Sequence, residues 1–167
     1  VTISGMGGIG KTRLALHVAS IAGRRMLGGA CIVALDGVSQ GELAHAMMRA
    51  LMLEPTPYVD ATAQVTGYLR DRELLLVLDN LEQIQGAGQV VADLLETCDS
   101  LSCLVTSRRP LLAYGEHEFE LAPLTEPAAM QLFIDRSSAL LRNRIADHDE
   151  VAAVCRLLDG LPLAIEL

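Results

Sequence analysis

The chain has 167 residues, 51% of them apolar and 20% charged, with a formal charge of −8 and no Trp. That length suits one domain, or one and part of a second, around a core that must be aliphatic because only two Phe and three Tyr are present. The acidic balance excludes sequence-blind DNA or RNA binding by this segment, since such binding rests on Lys and Arg neutralising phosphates. No apolar run approaches the roughly 18 residues of a membrane helix, and no signal peptide is expected. Cys31, Cys98, Cys103 and Cys155 lie in or beside apolar segments, without the close pairs of a zinc site, and read as buried free thiols of a cytoplasmic protein. Val1 falls inside an expected strand and Leu167 inside a helical pattern, as in a segment of a longer protein.

In chain order, Val1 to Ser4 is a β-branched strand that runs into the glycine-rich stretch Gly5 to Gly10. A helix follows with Leu14, Val18 and Ile21 on one face, and Gly28 and Gly29 end it. Cys31 to Leu35 reads as a buried strand ending at Asp36. Glu42 to Leu53 is helical, with Leu43, Ala46, Met47, Ala50 and Leu51 at helix spacing, and is stopped by Pro55 and Pro57. Ala61, Val65 and Leu69 mark another helix. Leu74 to Leu78 is a continuous aliphatic strand of the kind buried on both faces of a parallel sheet. Val90, Val91, Leu94 and Leu95 mark a helix, Leu101 to Thr106 a strand, and His117 to Leu121 another. Alternating strands and helices predict an α/β fold with a mainly parallel sheet and helices on both faces. After Pro123 the pattern changes. Ala129, Leu132, Phe133 and Leu140 share one helix, and Val151, Val154, Leu157 and Leu158 another, with no strand expected between them. The expected domains are therefore residues 1–122 and a small helical unit, residues 123–167.

Gly5-Met6-Gly7-Gly8-Ile9-Gly10-Lys11-Thr12 matches G-x-x-x-x-G-K-[ST] between a strand and a helix, the context a phosphate-binding loop needs. Glycines let the backbone close around phosphate oxygens, and successive N–H groups and the helix N-terminus face the anion. Gly5, Gly7, Gly8, Ile9, Gly10, Lys11, Thr12 and Arg13 form the expected contact stretch, with Lys11 on the β- and γ-phosphates and the Thr12 hydroxyl on Mg²⁺. Two lookalikes overlap other motifs. Gly5, Gly7 and Gly10 also satisfy G-x-G-x-x-G, with Asp36 placed as a ribose-binding acid, but that fingerprint does not need Lys11-Thr12. Gly37-Val38-Ser39-Gln40-Gly41 matches G-x-S-x-G. The scattered His45, His117 and His148 do not complete a hydrolase, so Ser39 is expected in a turn or near a helix start.

Leu74 to Asp79 is five aliphatic residues followed by a carboxylate, expected beside the phosphate-loop strand with Asp79 in the Mg²⁺ shell. Hydrolysis needs a group to orient or activate water. The next residue is Asn80, an amide that bonds water but takes no proton, and Glu82 is the nearest carboxylate that could serve. These residues predict firm nucleotide binding with slow turnover. Thr106-Ser107-Arg108-Arg109 closes its strand with an arginine pair, and Arg108 is the expected γ-phosphate contact ahead of Arg109.

In this order, the Gly5 to Thr12 loop, Leu75 to Asn80, Leu104 to Arg108 and Gly160-Leu161-Pro162-Leu163 resemble the NB-ARC-type STAND ATPases over essentially the whole chain. Leu121-Ala122-Pro123-Leu124 and Gln131-Leu132-Phe133 are similar to that family too. Asp79-Asn80-Leu81-Glu82 resembles its bacterial LuxR-type and SARP-type regulators most. The resemblance implies an additional-strand P-loop domain followed by a helical domain, binding ATP or ADP with Mg²⁺. It assigns phosphate and metal roles to Lys11 and Thr12, the metal role to Asp79, γ-phosphate sensing to Arg108, and adenine or ribose contact to Pro162, which also suits a helix start. It implies a signalling switch that self-assembles according to nucleotide, within a transcriptional regulator. A turnover ATPase of AAA+ type doing mechanical or loading work, and a scaffold that binds nucleotide only for stability, are the competing readings.

Overall fold

The computed structural model describes residues 1–138 and 147–167; Leu140 lies outside them. The chain divides into two compact units, one of Val1–Ser4 with Lys11–Glu120 and one of Gly5–Gly10 with Leu121–Leu167.

The first unit is a parallel sheet of five strands, β1 (Thr2–Ser4), β2 (Ala30–Ala34), β3 (Leu74–Asp79), β4 (Leu101–Thr106) and β5 (Glu118–Glu120), in the order β2-β3-β4-β1-β5. Its helices are α1 (Lys11–Ala22), α2 (Leu43–Ala50), α3 (Ala61–Leu69) and α4 (Ala87–Thr97). Leu74, Leu76 and Leu78 of β3 join Leu101, Cys103 and Val105 of β4 in one core with Met47, Val65, Leu69, Val91 and Leu94 from α2, α3 and α4. The alternate residues Leu75, Val77 and Leu104 are also buried. They face the other side of the sheet, as strand pleating requires, where α1 packs against β3 and β4. Helices therefore cover both faces, and β3 is the buried strand its aliphatic run predicts.

Four expectations for this unit need correction. β4 lies between β3 and the phosphate-loop strand β1, so β3 is not its immediate neighbour. β2 is an edge strand with Ile32 exposed and Cys31 only partly buried, because an edge strand has a neighbour on one side alone. α1 buries Ala15 and Ala19 at i, i+4 spacing, while Ile21 is exposed; alanines let the helix approach the sheet more closely than a leucine stripe would. α2 ends at Ala50, well before Pro55. Its stop is a Schellman motif, in which Leu53 N–H donates to Met48 O and Met52 N–H to Arg49 O. Met52 occupies the left-handed position at φ 55°.

Elsewhere local chemistry sets the boundaries. Asp60 caps α3 by accepting the Thr62 and Ala63 N–H groups. Ser39 begins a short helical turn, its hydroxyl and N–H both donating to the Glu42 carboxylate. Ser39 is thus a capping residue, as expected of a turn position. The four cysteines are free thiols, and burial pushes the Cys103 thiol up to about 12.

The second unit holds α5 (Glu126–Ser138), α6 (His148–Leu157) and α7 (Pro162–Glu166). Ala129, Met130, Val151, Ala152, Cys155 and Ile165 form its core, with Leu132 and Phe133 packed beside it. α6 turns Val151, Ala152 and Cys155 inward and leaves Val154 and Leu157 exposed, a different stripe from the one expected. Both stripes fit a 3.6-residue period, and packing against α5 selects one. Gly160 follows α6 at φ 63°, and a β-carbon there would lie 2.5 Å from Leu124 O.

Met52 is almost fully exposed, so Met52→Gly removes left-handed strain without opening a cavity. The expected gain is about 1 kcal/mol, read as a higher urea midpoint at unchanged slope.

Candidate functional site

The candidate residues gather at the C-terminal ends of β3 and β4, the usual position for ligands on an open α/β sheet. β3 delivers Asp79 there and β4 delivers Thr106, followed by Ser107 and Arg108. α1 opens at Lys11 directly after the glycine loop, so Lys11 and Thr12 occupy its first turn.

Thr12 Oγ1 donates to the Asp79 carboxylate, 2.8 Å from Oδ1 and 3.1 Å from Oδ2. A hydroxyl and a carboxylate at this separation form an all-oxygen pair of the kind Mg²⁺ prefers. Among the described residues no group of three or more His, Cys, Asp or Glu could hold a metal ion without help. Mg²⁺ fits such a sparse site, because it retains waters and takes substrate phosphate oxygens as ligands. Thr12 and Asp79 are therefore the residues suited to hold it.

Lys11 is 7% exposed. Burial lowers its pKa from the usual lysine value, the nearby Glu82 carboxylate opposes that shift, the Arg108 guanidinium reinforces it, and Asp79 opposes it. Two cations and two carboxylates thus share one electrostatic neighbourhood. Within it, Arg108 Nε lies 3.2 Å from Glu82 Oε1. The Arg108 side chain is 72% exposed and that of Glu82 only 12%, so the carboxylate is the buried partner and the guanidinium the solvent-facing one. Glu82 Oε2 is buried with no hydrogen-bond partner. The expected water-activating acid and the expected phosphate-sensing arginine hold one another. The ion pair with Glu82 is made by Arg108. Arg13, next along α1, is exposed.

Asn80 takes a left-handed conformation at φ 64°, ψ 43°. Asn enters this region more readily than most side chains, whereas a Glu there pays the full steric penalty. The amide at this position therefore has a backbone reason as well as a chemical one. Asp36 accepts a hydrogen bond from Gln83 Nε2 at 3.2 Å, and Gly37 N–H donates to Gln83 Oε1 at 3.3 Å. Asp36 is thus tied to the turn after β3.

In the second unit, the loop Gly5–Gly10 is bonded to the start of α7. Leu163 N–H donates to Gly8 O at 3.1 Å, and a β-carbon on Gly8, which sits at φ 77°, would lie 2.9 Å from Leu163 Cβ. Glycine is required at Gly8 by both φ and space. Pro162 is the first residue of α7 and the chain neighbour of Leu163, which sets it beside the loop. The Thr106–Asp79 and Leu163–Gly8 hydrogen bonds were not foreseen from the sequence, because each joins residues distant in the chain. The only local signal for Thr106 is a hydroxyl at the end of a mostly apolar strand.

The chain matches the NB-ARC domain family over residues 1–141. It is 37% identical over 172 residues to a Mycobacterium tuberculosis protein named as an HTH-type transcriptional regulator, covering 99% of this chain and 19% of that protein. It is 33% identical over 177 residues to the regulatory protein AfsR of Streptomyces griseus, covering 99% of this chain and 17% of AfsR. The chain therefore spans about a fifth of the length of these relatives. Among solved structures, a Signal Transduction ATPase with Numerous Domains from Pyrococcus horikoshii, bearing a tetratricopeptide repeat sensor, superposes with a TM-score of 0.65 at 18% identity. That match covers 98% of this chain and 26% of that one, and agrees with a P-loop NTPase fold. By its motifs, its sheet and its family match, the chain belongs to the NB-ARC domain family.

Proposed function

We propose that this chain is the nucleotide switch of a larger regulatory protein, a transcriptional regulator like the relatives it matches. It binds ATP or ADP with Mg²⁺ in the cytoplasm and couples the difference to self-assembly. The observation that carries this reading is the Thr12–Asp79 pair, set with Lys11, Glu82 and Arg108 in one charged cluster.

In this reading residues 1–122 are the nucleotide-binding domain and residues 123–167 the beginning of a helical one. Backbone N–H groups of Gly5, Gly7, Gly8, Ile9 and Gly10 receive the phosphates, and Lys11 meets the β- and γ-oxygens. Thr12 and Asp79 hold Mg²⁺, which screens phosphate charge when bound. Pro162 contacts adenine or ribose. Arg108 leaves Glu82 for the γ-phosphate. That charge-assisted contact exists with ATP and not with ADP, and is worth about 1.5–3 kcal/mol. Energy of that size biases a two-state equilibrium by roughly 10- to 100-fold.

Slow hydrolysis follows from the same residues. Asn80 takes no proton, and the nearest acid, Glu82, is occupied by Arg108. One observation favours a turnover ATPase instead: the buried, unpartnered Glu82 Oε2 is a carboxylate oxygen available as a base. That reading requires hydrolysis in the ordinary enzyme range of about 1 s⁻¹ or faster, lost on Glu82→Gln.

Titration of the full-length protein with ATP and with ADP, following mass by light scattering, is expected to show assembly with ATP alone. Identical behaviour with both refutes the switch. Arg108→Ala is expected to reduce the preference for ATP over ADP by about 10- to 100-fold, and Arg109→Ala to leave it unchanged.

Lys11→Met is expected to abolish nucleotide binding while raising the melting temperature of the nucleotide-free protein at pH 7. The folded pKa of Lys11 lies below its unfolded value, so the buried charge penalises folding at all pH below the folded pKa. That penalty fades as pH rises through the folded pKa toward 10.5, so the melting difference should narrow over the same range in calorimetric scans.

A further inference from the structure

Thr106 ends β4 and is fully buried. Its Oγ1 donates to Asp79 Oδ1 at 2.5 Å and accepts the Asn80 N–H at 2.9 Å. The directions are forced, because an amide N–H only donates and an ionised carboxylate only accepts. The single hydroxyl proton of Thr106 is therefore committed to Asp79.

β3 and β4 pair in parallel with Leu78 opposite Val105, so Thr106 comes from the rung that follows. The bond is thus built on two buried central strands and not on a loop. A valine would fill the same volume without burying a hydroxyl, and a buried hydroxyl is tolerated only when bonded. Here both of its bonds go to the two residues that close β3. One fixes which way the Asp79 carboxylate turns. The other holds Asn80 in the left-handed turn that leads to Glu82.

We infer that Thr106 is a positioning residue for metal binding. Its hydroxyl orients Asp79 toward Mg²⁺ and needs no contact with nucleotide. This inference rests on the nucleotide-binding reading above. Groups that hydrogen-bond a metal-ligating side chain change metal affinity by about 10- to 100-fold when removed. Thr106 therefore governs the part of nucleotide affinity that magnesium supplies, and not the part that the glycine loop and Lys11 supply.

The test measures binding of N-methylanthraniloyl-ATP by fluorescence to the full-length protein, once with MgCl₂ and once with EDTA. Wild type is expected to bind more tightly with magnesium. Thr106→Val and the smaller Thr106→Ala are expected to lose about 10-fold or more of that gain, with affinity in EDTA unchanged. Thr106→Ser, which keeps the hydroxyl, is expected to retain the gain. Should both hydroxyl-free variants fail to fold by thermal melting, Thr106→Cys keeps the volume with a much weaker donor and carries the same comparison. An undiminished magnesium gain in the hydroxyl-free variants, an equal loss in EDTA, or a Thr106→Ser protein that loses the gain overturns the inference. A wild-type protein with no magnesium gain overturns the nucleotide reading itself, and this inference with it.

Discussion

Asp79 Oδ1 receives two hydroxyl protons, from Thr12 at 2.8 Å and from Thr106 at 2.5 Å. One comes from the first turn of the helix behind the glycine loop, the other from the end of a central strand. The carboxylate is held in place because β3 is buried along its whole aliphatic length, so its end cannot shift without disturbing the core. Thr106 adds a second tie through Asn80 and decides how the chain leaves the strand.

From that turn the chain reaches Glu82, and Glu82 meets Arg108, two residues beyond Thr106. Asp79, Glu82 and Arg108 thus stem from two adjacent strand ends, those of β3 and β4. Lys11 completes the group, with a charge that burial disfavours and that Glu82 and Asp79 partly compensate. Such a cluster is suited to an anion that strengthens the compensation, and a triphosphate does so more than a diphosphate. Separately, the glycine loop is bonded through Gly8 to the first turn of α7. The glycine loop is thus tied to the segment that contains Pro162.

Much of this was readable before any coordinates. The Gly5 to Thr12 loop carries its chemistry within eight consecutive residues, and the Leu74 to Asp79 run states both a doubly buried strand and an acid at its end. Those features are local, so pattern and spacing suffice. Alanine-for-leucine packing on α1, the exposure of β2 and the stripe chosen by α6 were not readable, because each depends on what covers the element. The early end of α2 was hidden as well. Met52 carries no glycine-like signal, and its left-handed conformation is held by the Schellman bonds alone.

The sequence by itself determined the fold class, the glycine-rich loop between strand and helix and the carboxylate that ends β3, since each is written in short stretches of fixed periodicity. Only the tertiary structure decided that β4 stands between β1 and β3, that Glu82 and Arg108 are partners, that Thr106 bonds Asp79, and that Leu163 bonds Gly8. Strand order and side-chain pairing join residues far apart in the chain, and that choice is made by burial and hydrogen bonding across the whole sheet, on which local spacing carries no information.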